Sequence, residues 1–160
     1  MIRNAVIADV PQVAGLYYSV WHETHAAFMP EEERARRTLT FFEHRVKELI
    51  PTSLVEHRDG SVAAFSSWNG NLLGQLFVAR DYRGTRLASE LLSATEREMA
   101  KWGIGEAELH CVVGNDRARR FYERMGWRHF GEIFEVVAGP GREVSIPFWR
   151  MVKVLRDSSS

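Results

Sequence analysis

Arg83 and Arg86 flank Gly84 and Thr85, directly after an apolar run and directly before a stretch of helical periodicity. Residues of these types at this spacing suit the binding of an anion. A helix start leaves backbone N–H groups without intrahelical partners and carries about half a unit of positive charge, so phosphate binds there. The two guanidinium groups add full charges. Gly84 has no Cβ, so its backbone can approach a ligand and adopt positive φ. The segment from Gln75 to Leu92 therefore reads as strand, anion-binding turn and amphipathic helix. It is neither of the two commonest phosphate loops, because the G-x-x-x-x-G-K-[ST] and G-x-G-x-x-G runs are both absent.

What the turn does match is narrower. Arg83-Gly84-Thr85-Arg86-Leu87-Ala88 resembles the R-x-x-G-x-[G/A] pyrophosphate loop of the GCN5-related N-acetyltransferase family, which binds acetyl-CoA. A second block, NDRARRFYERMGW from Asn115 to Trp127, is similar to that family's N-x-x-A-x-x-F-Y-x-x-x-G-[FW] segment. The two occur in the family's order and at about its separation, which makes them far more specific together than either is alone. One departure stands out: Arg86 occupies the position where the family usually has Gly. The Pro that often precedes the loop is also missing from Ala79-Arg80-Asp81.

The resemblance implies an α/β fold with a mixed, mainly antiparallel sheet flanked by helices. It would be a single domain over residues 1–156, followed by a disordered tail at 157–160. The implied activity is direct transfer of an acetyl group from acetyl-CoA, as co-substrate, to a primary amine. Such a reaction needs a bound CoA, a neutral amine, a stabilised oxyanion and a protonated thiolate on departure. By resemblance, backbone groups of Phe77 and Val78 hold the pantetheine and polarise the acetyl carbonyl. Arg83, Gly84, Thr85, Arg86, Leu87, Ala88 and Ser89 form the pyrophosphate loop, and Asn115 contacts the pantetheine arm. Tyr122 matches the tyrosine that donates to the departing sulfur. It also lies on an apolar helical stripe, where a tyrosine can simply fill the core. A phenol with a pKa near 10 is a poor acid toward a thiolate near 8.5, so hydrogen bonding competes with proton transfer as its role.

The general base has no family match, since Leu72 to Leu76 contain no carboxylate. Glu23, His25 and His110 are the candidates, with a water chain as the default. Cys111 alternates with Leu109 and Val113 on one strand face and reads as a small core hydrophobe rather than an acetyl carrier. By resemblance, the acceptor pocket is expected to involve the final hairpin and the segment from Trp21 to Met29, with Trp21, His22, His25, Phe28 and Met29 supplying aromatic walls and polar groups and Glu23 or Glu31 attracting a cationic amine. Arg86 is expected to place its guanidinium on the pyrophosphate or the ribose 3′-phosphate. Alternatives are transfer to a protein N-terminus or lysine, or a sensor that binds acyl-CoA without turnover.

Composition narrows the function further. A chain of 160 residues suits one domain able to bury about 70% of its unfolded surface. With 21 basic and 21 acidic residues there is no overall field to gather nucleic acid or an anionic membrane. The expected partner is a small-molecule amine, and a homodimer is compatible with this reading. A single cysteine without zinc-ligand spacing points to a cytoplasmic protein without metal. No apolar run reaches membrane-spanning length.

The elements that must position these residues follow from periodicity and punctuation. A strand is expected over Ile2–Ile7, then a helix capped by Asp9 with Pro11 in its first turn and Gln12 completing a capping box. A second helix should run from near Pro30 to Pro51. Hairpin turns are expected at Arg58-Asp59-Gly60-Ser61 and Asn69-Gly70-Asn71. Gly74 interrupts the next strand, either as a bulge that splays it from its neighbour or as a packing gap. A helix carries the stripe Leu87, Leu91, Leu92, Thr95, Met99 and Trp102. A strand over Ala107–Val113 comes next, then a short helix with Ala118, Phe121, Tyr122 and Met125 on one face. Two strands, 128–137 and 144–155, close the chain around Ala138-Gly139-Pro140-Gly141. The order βααβββαβαββ implies one parallel crossover in a largely antiparallel sheet.

Overall fold

A computed structural model describes residues 1–139 and 142–155, with the side chains of His25, Phe28, 137–139 and 142–144 outside the description. The proposed tail at 157–160 and part of the last turn therefore lie outside the described residues. The elements are β1 (Ile2–Asn4), α1 (Val10–Val20), α2 (Glu31–Arg36), α3 (Leu39–Leu49), β2 (Ser53–Arg58), β3 (Ser61–Asn69), β4 (Leu72–Val78), α4 (Leu87–Lys101), β5 (Glu106–Val112), α5 (Asp116–Arg124), β6 (Arg128–Gly139) and β7 (Arg142–Val154). Seven strands form one sheet in the order β1-β2-β3-β4-β5-β7-β6, antiparallel throughout except for β4 beside β5. This is the expected α/β architecture with its single parallel crossover.

Hydrophobic burial divides between the two faces of the sheet. On one face Leu87, Leu91, Leu92 and Met99 of α4 pack on Ala64, Leu73 and Leu109, joined by Ala118, Phe121, Tyr122 and Met125 of α5. On the other, Val13, Tyr17 and Val20 of α1 and Phe42 and Val46 of α3 pack on Val55, Phe65 and Phe77. Alternation along β3 and β4 sends successive side chains to opposite cores. Trp102 departs from its predicted place in the α4 stripe. The helix ends at Lys101, and Trp102 stays 59% exposed with its indole edge against Trp68.

The bulge at Gly74 is real. Ser67 pairs with Gln75 and Trp68 with Leu73, so Gly74 is the extra residue on β4. Beta pairing between β4 and β5 covers only Leu72 with Glu108 and Leu73 with Leu109. Beyond the bulge the two strands part. Ala79 N–H bonds the Ala63 carbonyl at 2.8 Å. By ladder alternation, Phe77 then turns its backbone groups toward β3, whereas Leu76 and Val78 turn theirs into the gap.

Three local readings are corrected. The helix expected from Pro30 to Pro51 is two helices: Arg37 leaves helical geometry at ψ 63°, and the Thr38 hydroxyl accepts the Phe41 N–H at 3.1 Å to start α3. Buried Glu33 holds both Arg36 and Arg37 and so anchors the break. β1 stops at Asn4, followed by a 3-10 turn over Ile7–Asp9. Asp9 does not cap α1. Its buried carboxylate accepts from Arg3 twice at 2.9 Å, from Val6 N–H at 2.8 Å, and contacts His57 at 3.1 Å. Gln12, expected in a capping box, accepts the Val62 N–H instead.

Candidate active site

A cavity of about 860 Å³ passes through the sheet where β4 and β5 separate. Leu73, Leu109 and Cys111 line it from one core, and Tyr17, Val20, Trp21 and Phe77 from the other. Val78, Arg83, Gly84, Thr85, Arg86, Ala88, Ser89, Asn115 and Tyr122 line it too. The two sequence blocks therefore meet around one opening. Leu87 does not reach the cavity: its side chain is buried in the core at 1% exposure.

The loop has the features an anion needs. Gly84 sits at φ +78°, a conformation that disfavours a side chain. The Thr85 hydroxyl donates to the Tyr82 carbonyl and accepts the Leu87 N–H at 3.3 Å, which fixes the turn. The Ser89 hydroxyl donates to the Arg86 carbonyl at 2.9 Å. Arg86 takes the N-cap position of α4, exposed, and its guanidinium has no ion-pair or hydrogen-bond partner among the described residues.

Arg83 is differently placed. It pairs bidentately with Glu23, at 2.7 and 3.2 Å, and its Nε donates to the Val78 carbonyl at 3.4 Å. Arg80 joins at 3.2 Å. This cluster bridges the Arg83–Ser89 loop to the π-helical turn Trp21–His25, joining residues 60 positions apart. Arg83, then Arg80, holds the Glu23 carboxyl below its usual range, which weakens it as a base while this pairing is intact. Glu23 also fails to line the cavity, as does Glu31, so neither supplies the expected acidic attraction for an amine.

His110 reaches the cavity with both ring nitrogens engaged, Nε2 on Glu108 at 2.6 Å and Nδ1 on Glu135 at 3.2 Å. Arg150 completes the network on Glu108 at 2.7 Å. The i, i+2 spacing of Glu108 and His110 and their shared strand face were visible in the sequence, but the partners Glu135 and Arg150 were not. His22 faces away, bonding the Arg37 carbonyl at 2.7 Å. Trp21 and Met29 line the cavity as expected, while the His25 and Phe28 side chains lie outside the description.

Asn115 caps α5, its Oδ1 accepting the Ala118 N–H at 3.3 Å, which leaves its amide NH₂ toward the cavity. Tyr122 packs edge-on against Phe121 and Trp127, and its hydroxyl has no hydrogen-bond partner among the described residues. Burial, then proximity to Cys111, pushes its phenol well above the usual tyrosine value. Burial likewise pushes the Cys111 thiol up to about 11, and the thiol leans on the Val112 and Asn115 carbonyls. A thiol so protonated is a weak nucleophile, in line with the core role expected for it.

Residues 16–127 match the Acetyltransferase (GNAT) family. The chain is 21% identical over 159 residues to an L-methionine sulfoximine/L-methionine sulfone acetyltransferase of Pseudomonas aeruginosa, covering 94% of this chain and 92% of that protein. It is 26% identical over 110 residues to L-ornithine N5-acetyltransferase NATA1 of Arabidopsis thaliana, covering 69% of this chain and 47% of that protein. Among solved structures, the yncA acetyltransferase of Salmonella typhimurium with acetyl-CoA superimposes at a TM-score of 0.69 with 19% identity, covering 100% of this chain and 96% of the other. With the family matched across both sequence blocks and the sheet opened where those blocks meet, this chain belongs to the GNAT family of N-acetyltransferases.

Proposed function

We propose that this enzyme transfers the acetyl group of acetyl-CoA directly to a primary amine on a small molecule. The observation that carries the reading is the passage through the sheet, which lets the two substrates approach one point from opposite faces. The loop from Arg83 to Ser89 receives the pyrophosphate on one side, and the Trp21–Met29 segment encloses the acceptor on the other. Acetyl-CoA supplies the activated thioester. The residues fit it: an open helix start, an unpaired guanidinium at Arg86, a left-handed glycine, and backbone groups of Leu76 and Val78 turned into the gap. Those groups hold the pantetheine arm and orient the acetyl carbonyl, with Asn115 contributing its free amide. Tyr122, protonated and without another partner, holds a proton toward the departing sulfur. With His110 held between two carboxylates and Glu23 outside the cavity lining, the acceptor amine loses its proton to water.

The relatives named for methionine sulfoximine and ornithine support a small acceptor. A screen with radiolabelled acetyl-CoA against amino acids, polyamines and peptides tests the proposal. Labelling of small amines is the expected result, and labelling of peptides alone would overturn the acceptor class.

CoA must displace Glu23 to engage Arg83. Arg83→Ala should therefore weaken CoA by about 1.5 kcal/mol, the low end for a lost charge-assisted hydrogen bond. Glu23→Gln should tighten CoA a few-fold, because the competing carboxylate is gone. Calorimetric titration measures both, and a weakening in Glu23→Gln would contradict the competition.

Arg86→Gly separates its two possible contacts. Titration with CoA and with 3′-dephospho-CoA should show equal losses of several-fold if the guanidinium meets the pyrophosphate, or loss for CoA alone if it meets the 3′-phosphate. Unchanged affinity for both would return Arg86 to solvent.

A further inference from the structure

On the acceptor side of the passage, the charged groups contributed by the α1–α3 layer are two arginines, Arg37 and Arg45, and no carboxylate of that layer lines the cavity among the described residues. Arg45 projects from α3 with its Nε on the Tyr17 hydroxyl at 3.2 Å, and it has no acidic partner among the described residues. Tyr17 in turn lies 4.5 Å, ring to ring, from Phe77 on the strand that borders the gap. The unpaired charge of Arg45 is thus two side-chain contacts from the parted strands.

Arg37 is half-buried and fixed in place. Its guanidinium lies 4.5 Å from the centre of the Phe41 ring and 5.3 Å from that of Trp21, with one nitrogen on Glu33 at 3.2 Å. Its Nε is buried without a hydrogen-bond partner among the described residues. A buried charged donor left unmatched costs more than the bond it lacks, so this group is set for an acceptor that the chain does not itself provide. A planar guanidinium stacked on aromatic rings is well suited to a carboxylate, because the ring contacts hold its plane while its edge stays free to donate.

We infer that Arg45 and Arg37 form a carboxylate-binding subsite, so that the acceptor is an amine that also carries a carboxylate, such as an amino acid. The inference rests on the small-molecule reading above and narrows it. The carboxylate is drawn to the arginine end of the passage while the amine points to the gap between β4 and β5. An acceptor lacking the carboxylate gives the two guanidinium groups no anionic partner, which provides the discrimination.

The test uses L-methionine sulfone and L-ornithine, each as the free acid and as its carboxamide. Binding to the CoA-bound protein is measured by calorimetric titration and acetylation by steady-state kinetics. Wild type should favour each acid over its amide by tenfold or more. Arg45→Gln should reduce that ratio to within about twofold, through KM for the acid rather than through kcat. Arg45→Glu should reverse the preference. Arg37→Lys, which keeps the charge but loses the planar fork, should lower the ratio through KM for the acid. Equal use of acid and amide by wild type, binding of neither, or an unchanged ratio in Arg45→Gln would overturn the subsite. If no amine is acetylated but the acid still binds in preference to the amide, the subsite stands and the transfer reading fails.

Discussion

Tyr122→Phe should lower turnover by about 100-fold, the lower range for loss of a positioned acid, while CoA affinity stays within about twofold of wild type. The hydroxyl is the group removed, and it makes no hydrogen bond among the described residues, so no described contact of the fold depends on it. The ring remains to pack against Phe121 and Trp127. A group that acts on charge developing at sulfur contributes to the transition state rather than to ground-state binding, so the loss falls on kcat. The raised phenol pKa adds a second signature. Tyr122 stays protonated through the neutral and mildly alkaline range, so the wild-type rate should show no alkaline fall from tyrosine ionisation below about pH 10. Steady-state kinetics across pH, paired with calorimetry of CoA, check both statements. Wild-type turnover in the variant would assign Tyr122 to packing alone.

Asp9→Ala should destabilise the fold by about 3 kcal/mol at pH 7, as expected when one partner of a buried ion pair is removed. The substitution leaves the Val6 N–H without its acceptor and strips Arg3 and His57 of their shared carboxylate. Arg3 is partly exposed and recovers water, which keeps the loss at the low end of the usual range. The pH dependence has a definite sign. The Arg3 guanidinium, above all, holds the Asp9 carboxyl well below its unfolded value of about 3.9. Its stabilisation is therefore complete above that value and disappears as pH falls through the folded one. Urea melts at pH 7 and in progressively stronger acid should show the gap between wild type and variant closing only below about pH 4. A gap that is constant with pH would mean that packing, not charge, sets the loss.

These residues also show what a one-dimensional reading can and cannot reach. Gly74 was legible because a lone glycine in a strand has a local cause, and the register shift followed. The two sequence blocks were legible because backbone geometry at a helix start depends on neighbours in the chain. Asp9 was misread because a carboxylate before Pro11 has the chemistry of a cap, whereas its partners are Arg3, the Val6 N–H and His57, the last 48 residues away. The break at Arg37 and Thr38 was missed for a similar reason: an unbroken helical pattern hides a cap whose value depends on Glu33 being buried. The pairing of Arg83 with Glu23, and the meeting of Arg45 with Tyr17, are tertiary events without periodic signature. The expected acidic lure from Glu23 failed on this account, since its charge is spoken for by two arginines and the charged cavity lining from the α1–α3 layer is Arg37 and Arg45.

The parted strands carry a mechanical consequence. With β4 and β5 joined by two registered pairs, the sheet consists of a four-strand leaf and a three-strand leaf that share a short seam. Whatever fills the gap serves as a keystone between the leaves. Occupancy and cohesion are then one quantity: at a ligand concentration 100 times its dissociation constant, mass action alone adds about 2.7 kcal/mol to the folded state. The seam is the least-paired junction in the sheet, so if acetyl-CoA fills the gap as proposed, the protein's heat resistance should rise with the supply of its co-substrate.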